Sequence, residues 1–289
     1  MPQPRLPYFD YVLAELEKQN PVIEKSFGRH AHWGYWDEPE SARCDDDDYA
    51  LAAENLALRL CAMAGIAEGE RVLDVGCGFG GTAATLTERF AALRITGLNI
   101  DGRQLARARN IARPARDNSI TWCQADACSL PFAAGSFDRL LAVECIFHFS
   151  SRAAFFAEAH RVLAPGGTLT ISDFIPAPVI LPLNRVTASA WFDRHNVFGH
   201  CSADYTIARY RRLAARTGFR IGAARNVTRH VQPTYSYLLR QLAGAPLAGY
   251  PRRLTLAVRP LIGLLRLTGR LRLFNYYFLS FTRAGTGDG

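Results

Sequence analysis

A glycine-rich turn is the first stretch of the chain that could do chemistry, because residues 71–85 are RVLDVGCGFGGTAAT. Gly76, Gly78 and Gly81 fit the pattern G-x-G-x-x-G, and Gly76, Gly78 and Gly80 fit G-x-G-x-G. Glycines let the backbone approach a ligand closely, and the helix that follows presents free N–H groups. Because dinucleotides use the first pattern and methyl donors the second, the turn alone does not choose the ligand.

Three neighbouring residues discriminate between these two ligands. A dinucleotide site expects an acidic residue at the end of the second strand to hold the ribose hydroxyls, whereas Asn99 at that place is neutral. Asp74 lies inside the first strand, where a carboxylate can hold a cationic amino group or orient the turn. Asp126 follows the third strand and can accept a hydrogen bond from the adenine amino group. Together these residues favour a methyl donor.

The motifs of the central part of the chain resemble those of the class I S-adenosylmethionine-dependent methyltransferases. VLDVGCGFGG (72–81), Asp126, GSFD (135–138) and RVLAPGGTLTISDF (161–174) occur in that family's order, and the fold pattern extends to about residue 284. The resemblance implies that the cofactor is S-adenosyl-L-methionine and that the chain transfers its methyl group.

The resemblance also implies a set of donor-binding residues. Gly76, Gly78 and Gly80 would line the methionine and ribose parts of the donor, and Asp126 with Ala127 would hold the adenine. The full set expected at the donor is Tyr35, Asp74, Gly76, Gly78, Gly80, Asn99, Ile100, Gln104, Asp126, Ala127 and Glu144.

Two further features resemble the branch of the family that methylates small molecules, including sterol, tocopherol and sugar-type acceptors. Asn99 with Gln104 replaces the usual acidic residue, and an amide bonds a ribose hydroxyl more weakly than a charged acceptor does. HAHWGYWD (30–37) is similar to an H-x-G-Y-W segment whose aromatic residue closes over donor and acceptor. Tyr35 and Trp36 could stack near the sulfonium through a cation–π attraction of about 0.5–2 kcal/mol. Alternatively, these aromatic residues only pin an N-terminal helix to the sheet.

The candidate catalytic residues follow the fourth and fifth strands. Methyl transfer is an in-line displacement, so the protein mainly supplies alignment and water exclusion, with a base where the acceptor must lose a proton. His148, in the loop after the fourth strand, is the first choice for the base because histidine titrates near neutral pH. Asp173 is a helper or an alternative base, or only a polar residue of the pocket. Glu144 is expected to position the donor or the acceptor. The alternative for His148 is a capping or packing role.

The predicted acceptor pocket is roofed by two segments. One is the Pro-rich and aromatic insertion 175–203, and the other is TRHVQPTYSYLL (228–239). Their aromatic and aliphatic side chains favour a largely hydrophobic small-molecule acceptor, although such residues also form lid cores. No metal site is expected. The residues assigned to acceptor binding are Trp36, His148, Trp191, Phe192, His195 and Tyr235.

The elements that must position these residues alternate between strand and helix. This alternation predicts an α/β fold with a Rossmann-like, doubly wound, mostly parallel seven-stranded sheet, helices on both faces and a helical lid formed by insertions. The predicted organisation is an N-terminal helical and aromatic cap (1–65), a donor-binding core (66–174), a lid insertion (175–203), a core helix and strand (204–227), an arginine-rich helical lid insertion (228–272) and a final strand and tail (273–289).

Charge is unevenly distributed along the 289 residues, whose net charge is +8. Between Tyr205 and Gly287 there are fifteen arginines and no Asp, Glu or Lys, so the rest of the chain sums to −7. This block is either a solvated arginine-rich surface or attracted to a phosphate-bearing substrate, a membrane surface or nucleic acid. Within 254–272, Leu261, Leu264 and Leu265 share one predicted helix face. We expect them to pack on the core, with a peripheral membrane contact as the alternative.

The compartment is expected to be a reducing cytoplasm. The seven cysteines form no C-x-x-C pair and are expected to be free thiols, and neither a transmembrane helix nor a secretory signal is predicted. The leading hypothesis is methyl transfer to a small hydrophobic metabolite of specialised metabolism, with O-methylation ahead of C-methylation.

Four alternatives remain. A prenyl diphosphate or lipid C-methyltransferase would use both the apolar lid and the arginines. An RNA methyltransferase would explain the basic block, although no RNA-binding module or N-P-P-Y motif is present, so nucleic acid is not the expected partner. A donor-binding cyclase would not transfer the methyl group. A nicotinamide enzyme is the least favoured.

Overall fold

The computed structural model describes residues 6–182, 201–202, 204–244 and 252–285. Strands and helices alternate through the centre of the chain, as the sequence predicts. The strands are β1 (Arg71–Val75), β2 (Arg94–Asn99), β3 (Ser119–Gln124), β4 (Phe137–Ala142), β5 (Leu163–Pro176), β6 (Phe219–Asn226) and β7 (Phe274–Arg283). The helices are α1 (Pro7–Glu17), α2 (Pro21–Phe27), α3 (Asp46–Ala64), α4 (Gly81–Arg89), α5 (Gly102–Ile111), α6 (Arg152–Val162), α7 (Ile207–Arg216), α8 (Thr228–Gly244) and α9 (Arg252–Arg270).

The seven strands of the described residues form one sheet in the order β3-β2-β1-β4-β5-β7-β6. β1 to β5 pair in parallel, whereas β7 is antiparallel to both β5 and β6. The predicted doubly wound, mostly parallel α/β fold is therefore confirmed. The strand order reverses between β1 and β4, and in such sheets ligands bind beyond the carboxyl ends of the strands at this point.

Helices cover both faces of the sheet, so the central strands are apolar on both sides. Leu73 and Val75 of β1 join the larger core cluster with residues of α6 and α7, and Val72 joins a second cluster with residues of α3 and α4. Because successive side chains of a strand point to opposite faces, β1 anchors both layers. Asp74 is the polar residue in this otherwise apolar strand, and it is 1% exposed.

The acidic run 45–48 begins α3. The Asp45 side chain accepts a hydrogen bond from the Asp48 backbone N–H at 2.9 Å, which caps the helix. The remaining aspartates lie in the first turn, where the helix dipole favours negative charge. Asp48 also accepts a hydrogen bond from the Trp36 indole at 3.0 Å. The run therefore fixes the aromatic segment that precedes α3.

The arginine-rich region forms α8 and α9, between β6 and β7. Val258 and Ile262 of α9 are buried in a cluster with Tyr235 of α8. The prediction that Leu264 packs on the core is wrong, because its side chain is 56% exposed. The buried face of α9 carries Val258 and Ile262, and Leu264 lies outside that face.

Two further findings concern the whole described chain. None of its helices combines the length and the apolar character that a membrane span requires. All seven cysteines are free thiols, and the buried ones are Cys61, Cys77 and Cys145.

Candidate active site

A cavity of about 320 Å³ lies beyond the carboxyl ends of β1, β2 and β4. The glycine turn after β1 and the residues that follow β2, β3 and β4 form its walls, and the N-terminal segment closes it. The residues that line the cavity include Tyr8, Phe9, Arg29, His30, His32, Asp74, Gly76, Gly78, Phe79, Gly81, Thr82, Asn99, Ile100, Gln104, Asp126, Ala127, Glu144 and His148.

The glycine turn adopts a backbone that favours glycine. Gly76, Gly78 and Gly80 have φ values of +68°, +53° and +82°. At Gly76 a Cβ atom would lie 2.6 Å from the Cβ of Cys145, so this glycine permits close packing against the end of β4. At Gly78 a Cβ would meet only Gln104 Oε1, at 3.9 Å, so a side chain would enter the cavity. Gly80 is the N-cap of α4, and the cavity wall continues with Gly81.

Asp74 is the charged group beneath the turn. Its Oδ2 is buried and has no hydrogen-bond partner among the described residues. Burial raises the pKa of this carboxyl to about 7. A buried acceptor without a partner is costly, so this atom fits a ligand group that donates a hydrogen bond.

The side chains at the end of β2 form an uncharged pair. Asn99 Nδ2 donates to Gln104 Oε1 at 2.9 Å, and Asn99 Oδ1 accepts from the Ile100 N–H at 2.8 Å. Both side chains are buried. Beyond β3, Asp126 is half-buried and accepts a hydrogen bond from the Cys128 N–H at 2.8 Å, which shapes the loop that carries Ala127. These amide, carboxylate and apolar groups suit the ribose and base of an adenosine.

Glu144 joins three parts of the chain at the end of β4. Its Oε1 accepts from the Trp33 N–H at 2.9 Å and from the Tyr276 hydroxyl at 2.5 Å. Its φ of +48° is unusual for a residue other than glycine. Burial raises its pKa to about 8, even though the two donors act in the opposite direction. Because these two bonds join the end of β4 to the N-terminal segment and to β7, Glu144 orders this wall of the cavity.

His148 lies in the short turn Ile146–His148 that follows β4. Its Nε2 is 3.2 Å from the Tyr8 hydroxyl, and its Nδ1 is 3.6 Å from Cys201 Sγ. Burial raises the pKa of the Tyr8 phenol well above its usual value, so this group stays protonated. A protonated phenol can donate to Nε2 of a neutral imidazole, which makes that nitrogen the proton acceptor of the ring.

The structure corrects the role expected for Asp173. Its side chain is fully buried and does not line the cavity. Its Oδ2 accepts from Arg152 Nη2 at 3.0 Å and from the Tyr210 hydroxyl. Arg152 is itself 3% exposed and also donates to the Ser202 hydroxyl and carbonyl at 2.8 Å. Asp173 therefore neutralises a buried arginine that holds the chain at residue 202 to the core, and it is neither a base nor a pocket residue.

The structure also corrects three aromatic assignments, because Tyr35, Trp36 and Tyr235 do not line the cavity. Tyr35 stacks on His230 with ring centroids 4.6 Å apart. Trp36 is buried, and Tyr235 packs edge-on against Trp33 at 4.5 Å. These rings pack the N-terminal segment against α8 and β7. This agrees with the alternative interpretation, in which the aromatic residues pin that segment to the sheet.

The three acceptor-binding residues predicted in the insertion 175–203, which are Trp191, Phe192 and His195, lie outside the described residues. Within the described part of the chain, no group of three or more His, Cys, Asp or Glu residues could hold a metal ion.

Sequence reasoning missed the N-terminal wall. Tyr8 and Phe9 of α1 reach the cavity, and so do His30 and His32. His30 Nε2 lies 2.8 Å from Glu54 Oε2, and His32 Nδ1 lies 2.9 Å from the Trp33 carbonyl oxygen. The signal that could have found them is the H-x-H spacing of HAHWGYWD, which places two histidines before the aromatic residues.

Comparison with known proteins agrees with this geometry. The model of a family described as "Methyltransferase domain" matches residues 73–171. Methyltransferase GfsG of Streptomyces halstedii is 36% identical over 160 residues, which are 55% of this chain and 56% of that protein. An O-methyltransferase of Pyrenophora dematioidea is 31% identical over 208 residues, which are 70% of this chain and 72% of that protein.

A solved structure extends the fold comparison to almost the whole chain. The crystal structure of the cyclase SpnF matches with a TM-score of 0.73 over 98% of each chain, at 21% identity. This likeness concerns the fold alone. The sequence match spans little more than half the length of the Streptomyces halstedii relative, so it carries no information on the remainder of that protein.

Proposed function

We propose that this chain, which belongs to the class I S-adenosylmethionine-dependent methyltransferases, methylates a hydroxyl group of a small, largely hydrophobic metabolite in natural product biosynthesis. The observation that carries the choice of oxygen is the contact between the Tyr8 hydroxyl and His148 Nε2, 3.2 Å apart at the cavity wall. A hydroxyl acceptor must lose a proton as it reacts, and this nitrogen can take it.

One wall of the cavity is suited to hold the donor, and we name it the donor wall: residues 74–82, 98–104 and 125–127. Gly76 and Gly78 bring the backbone close to the methionine part, and Asp74 supplies an acceptor for a cationic group. The amides of Asn99 and Gln104 would bond the ribose, while Ile100, Asp126 and Ala127 would contact the adenine. The bound donor supplies an activated methyl group, so the chain itself needs only to align the two reactants and exclude water.

The opposite wall is suited to the acceptor, and we name it the acceptor wall: Tyr8, Phe9 and residues 143–150. Its residues that line the cavity are apolar or aromatic, apart from Glu144, His148, Ser150 and the phenol of Tyr8. An acceptor hydroxyl that reaches His148 Nε2 beside or in place of the phenol would transfer its proton to that nitrogen. Glu144 acts as a positioning residue, because its bonds to Trp33 and Tyr276 set the shape of this wall.

The arginine-rich region suits a peripheral contact with an anionic lipid surface, through residues 258–272. Leu264, Leu267 and Leu271 are 56%, 51% and 59% exposed at helical spacing, with exposed Arg259 and Arg270 beside them. An apolar stripe flanked by cations is the pattern of an interfacial helix. Such a contact would bring a hydrophobic acceptor to the enzyme from the membrane.

A flotation assay tests this contact. The protein should float with phosphatidylglycerol vesicles, remain behind with phosphatidylcholine vesicles, and detach as salt rises. The variant L264S/L267S should lose flotation while its donor affinity stays unchanged. The membrane contact would be contradicted if the variant floated as much as the wild type. It would also be contradicted if the wild-type protein bound RNA and not the vesicles.

The function itself is tested with methyl-labelled S-adenosylmethionine and an extract of the source cells. We expect label in the organic-soluble fraction, and mass spectrometry of that fraction should identify an O-methyl product. Label confined to precipitated RNA or protein would contradict the small-molecule acceptor. A product that carries the label on carbon would still be a methyltransferase product, but it would contradict O-methylation and the role of His148 as its base.

A further inference from the structure

A second cavity, of about 450 Å³, lies where the start of α8, the end of α9 and the start of β7 meet. Arg229, Gln232, Arg270 and Arg272 line it, and none of the described residues that line the first cavity also lines this one. The described residues around it include no Asp or Glu. Its side chains therefore offer positive charge and hydrogen-bond donors, which suit an anionic ligand.

Two of the three arginines at this cavity carry a charge that no carboxylate balances. Arg229 donates to Glu40 Oε2 at 3.0 Å, in an exposed pair. Arg270 and Arg272 are exposed and form no ion pair with any residue that the structure describes. A guanidinium group presents a planar fork of N–H donors that matches the oxygens of a phosphate group. Two such groups at one cavity therefore favour a phosphate over a carboxylate.

The Gln232 amide indicates a ligand independently of the arginines. Its Nε2 and its Oε1 are both buried and have no hydrogen-bond partner among the described residues. The other amides that line this cavity are paired. Asn226 Nδ2 donates to Asn275 Oδ1 at 3.2 Å, and Asn275 Nδ2 donates to the Arg272 carbonyl oxygen at 2.9 Å. Because a buried amide without partners is costly, Gln232 fits a ligand that both accepts and donates a hydrogen bond.

Helix α9 leaves room for this amide at Gly269. A Cβ atom at this position would overlap Gln232 Nε2. Gly269 is buried in the last turn of α9, where glycine lowers helix stability relative to alanine. The absence of a side chain therefore lets the Gln232 amide of α8 lie against α9 at the cavity.

Arg272 has a backbone conformation that normally favours glycine. It follows the end of α9 with a φ of +56°. Its N–H bonds the Gly269 carbonyl oxygen at 3.0 Å, and the Leu273 N–H bonds the Thr268 carbonyl oxygen at 2.8 Å. This pair of bonds is a C-terminal capping motif in which glycine usually occupies the left-handed position. An arginine there costs stability, and its side chain lines the cavity.

We propose that Gln232, Arg270 and Arg272 form a binding site for a phosphate ester that carries a free hydroxyl group. The two guanidinium groups hold the phosphate, Gln232 Nε2 donates to one of its oxygens, and Gln232 Oε1 accepts from the ligand hydroxyl. The ester is either a soluble metabolite or a lipid headgroup, since Leu271, between the two arginines in the chain, is 59% exposed. This site is independent of the proposed methyl transfer.

Two substitutions remove the proposed contacts and are compatible with the fold. Arg272→Gly removes one guanidinium group and places glycine where the capping motif favours it. Gln232→Met removes the buried amide and keeps a side chain of similar volume. Arg116→Gly is the matched control, because Arg116 is also exposed, has a φ of +53° and does not line the cavity. None of the three substitutions should lower the Tm, and either of the first two is alone a sufficient test.

Calorimetry at constant ionic strength measures the Kd of glycerol 3-phosphate and of methyl phosphate, which lacks the hydroxyl group. We expect the wild type to bind glycerol 3-phosphate more tightly than methyl phosphate. Arg272→Gly should weaken the binding of both about 10- to 100-fold, Gln232→Met should abolish the preference between them, and Arg116→Gly should match the wild type. The site would be overturned if the wild type did not bind glycerol 3-phosphate, or if Arg272→Gly bound it as the wild type does.

Vesicle flotation then distinguishes the two sources of the ester. If the site holds a lipid headgroup, glycerol 3-phosphate should displace the wild type from phosphatidylglycerol vesicles, and Arg272→Gly should float less than Arg116→Gly. If the ligand is soluble, the two variants should float equally and glycerol 3-phosphate should displace neither. Binding of RNA without binding of glycerol 3-phosphate would overturn the site. Because the calorimetric titration contains neither donor nor vesicles, its failure is distinct from a failure of the proposed methyl transfer or membrane contact.

Discussion

The donor wall and the acceptor wall differ in how the chain builds them. The donor wall consists of turns at the ends of adjacent parallel strands, so the pairing of the sheet itself brings its residues together. The acceptor wall depends on side-chain contacts between distant segments. Tyr8 and His148 are 140 residues apart, and Glu144 bonds residues that are 111 and 132 positions away. The donor wall is therefore set by topology, whereas the acceptor wall is set by packing.

This difference assigns separate consequences to the two walls. Changes in the donor wall should alter the affinity for S-adenosylhomocysteine, and changes in the acceptor wall should alter turnover. The variants at His148, Gly78 and Asp126 test that separation, because a variant that changes both quantities equally would show that the walls act as one.

The largest effect is expected at His148. His148→Ala should lower kcat with a hydroxyl acceptor by about 10²- to 10⁴-fold, because it removes the nitrogen proposed to take the reacting proton, and should leave the Kd of S-adenosylhomocysteine within about twofold. Steady-state kinetics and calorimetry give the two numbers. His160→Ala is the control, since His160 lies in α6 away from the cavity. A near-normal kcat for His148→Ala would exclude it as the base.

The next effect is expected at the glycine turn. Gly78→Ala should weaken S-adenosylhomocysteine binding by about tenfold or more, because its methyl group would enter the cavity. Gly65→Ala is matched to it, since Gly65 also has a positive φ, +64°, and nothing lies within 4 Å of its Cβ position. Both variants should lose similar stability, about 1–2 kcal/mol, and only Gly78→Ala should lose affinity. If Gly78→Ala and Gly65→Ala bound S-adenosylhomocysteine with equal affinity, the donor would lie elsewhere.

A smaller effect is expected at Asp126. Asp126→Asn can keep the hydrogen bond to the Cys128 N–H and replaces the acceptor proposed for the adenine amino group with a donor. We expect S-adenosylhomocysteine to bind about 2- to 10-fold more weakly and the preference over S-inosylhomocysteine, which lacks that amino group, to disappear. Competition calorimetry measures this preference. A preference equal to that of the wild type would remove Asp126 from the adenine site.

The last effect is on stability and not on ligand binding. Burial raises the pKa of Asp74 to about 7, so the folded state keeps a proton that the unfolded chain loses near pH 4. This contribution is fully present below pH 4 and is lost as the pH rises to 7, so the ligand-free protein should lose thermal stability over that range. The Asp74→Asn variant should lose less thermal stability than the wild type between pH 5 and pH 7. Scanning calorimetry compares the two slopes, and identical slopes would mean that Asp74 titrates normally.

The donor wall and the sheet could be predicted because their signals are local. Strand β1, the glycine turn and α4 are contiguous, so their spacing fixes Asp74, Gly76 and Gly78 at one edge of the sheet. His148 was placed by the same rule, as a residue that follows a parallel strand.

The packing of the acceptor wall could not be predicted, because no pattern within a single segment encodes it. Asp173 lies near the carboxyl end of β5, on the side of the sheet where ligands bind, but its partner Arg152 on α6 determines that it is buried as an ion pair. The sequence predicts that Trp36 binds the acceptor, whereas its indole donates to Asp48 of the next helix, which fixes it in the core. Leu264 shows the same limit, since a helical period identifies a face and not the neighbour that covers it.

The most direct test of the donor assignment is a calorimetric titration of the wild-type protein with S-adenosylhomocysteine and with NAD⁺ at one pH. We expect one S-adenosylhomocysteine site per chain and no NAD⁺ binding. Tight NAD⁺ binding without S-adenosylhomocysteine binding would contradict it, because the glycine turn and Asp74 would then serve a dinucleotide.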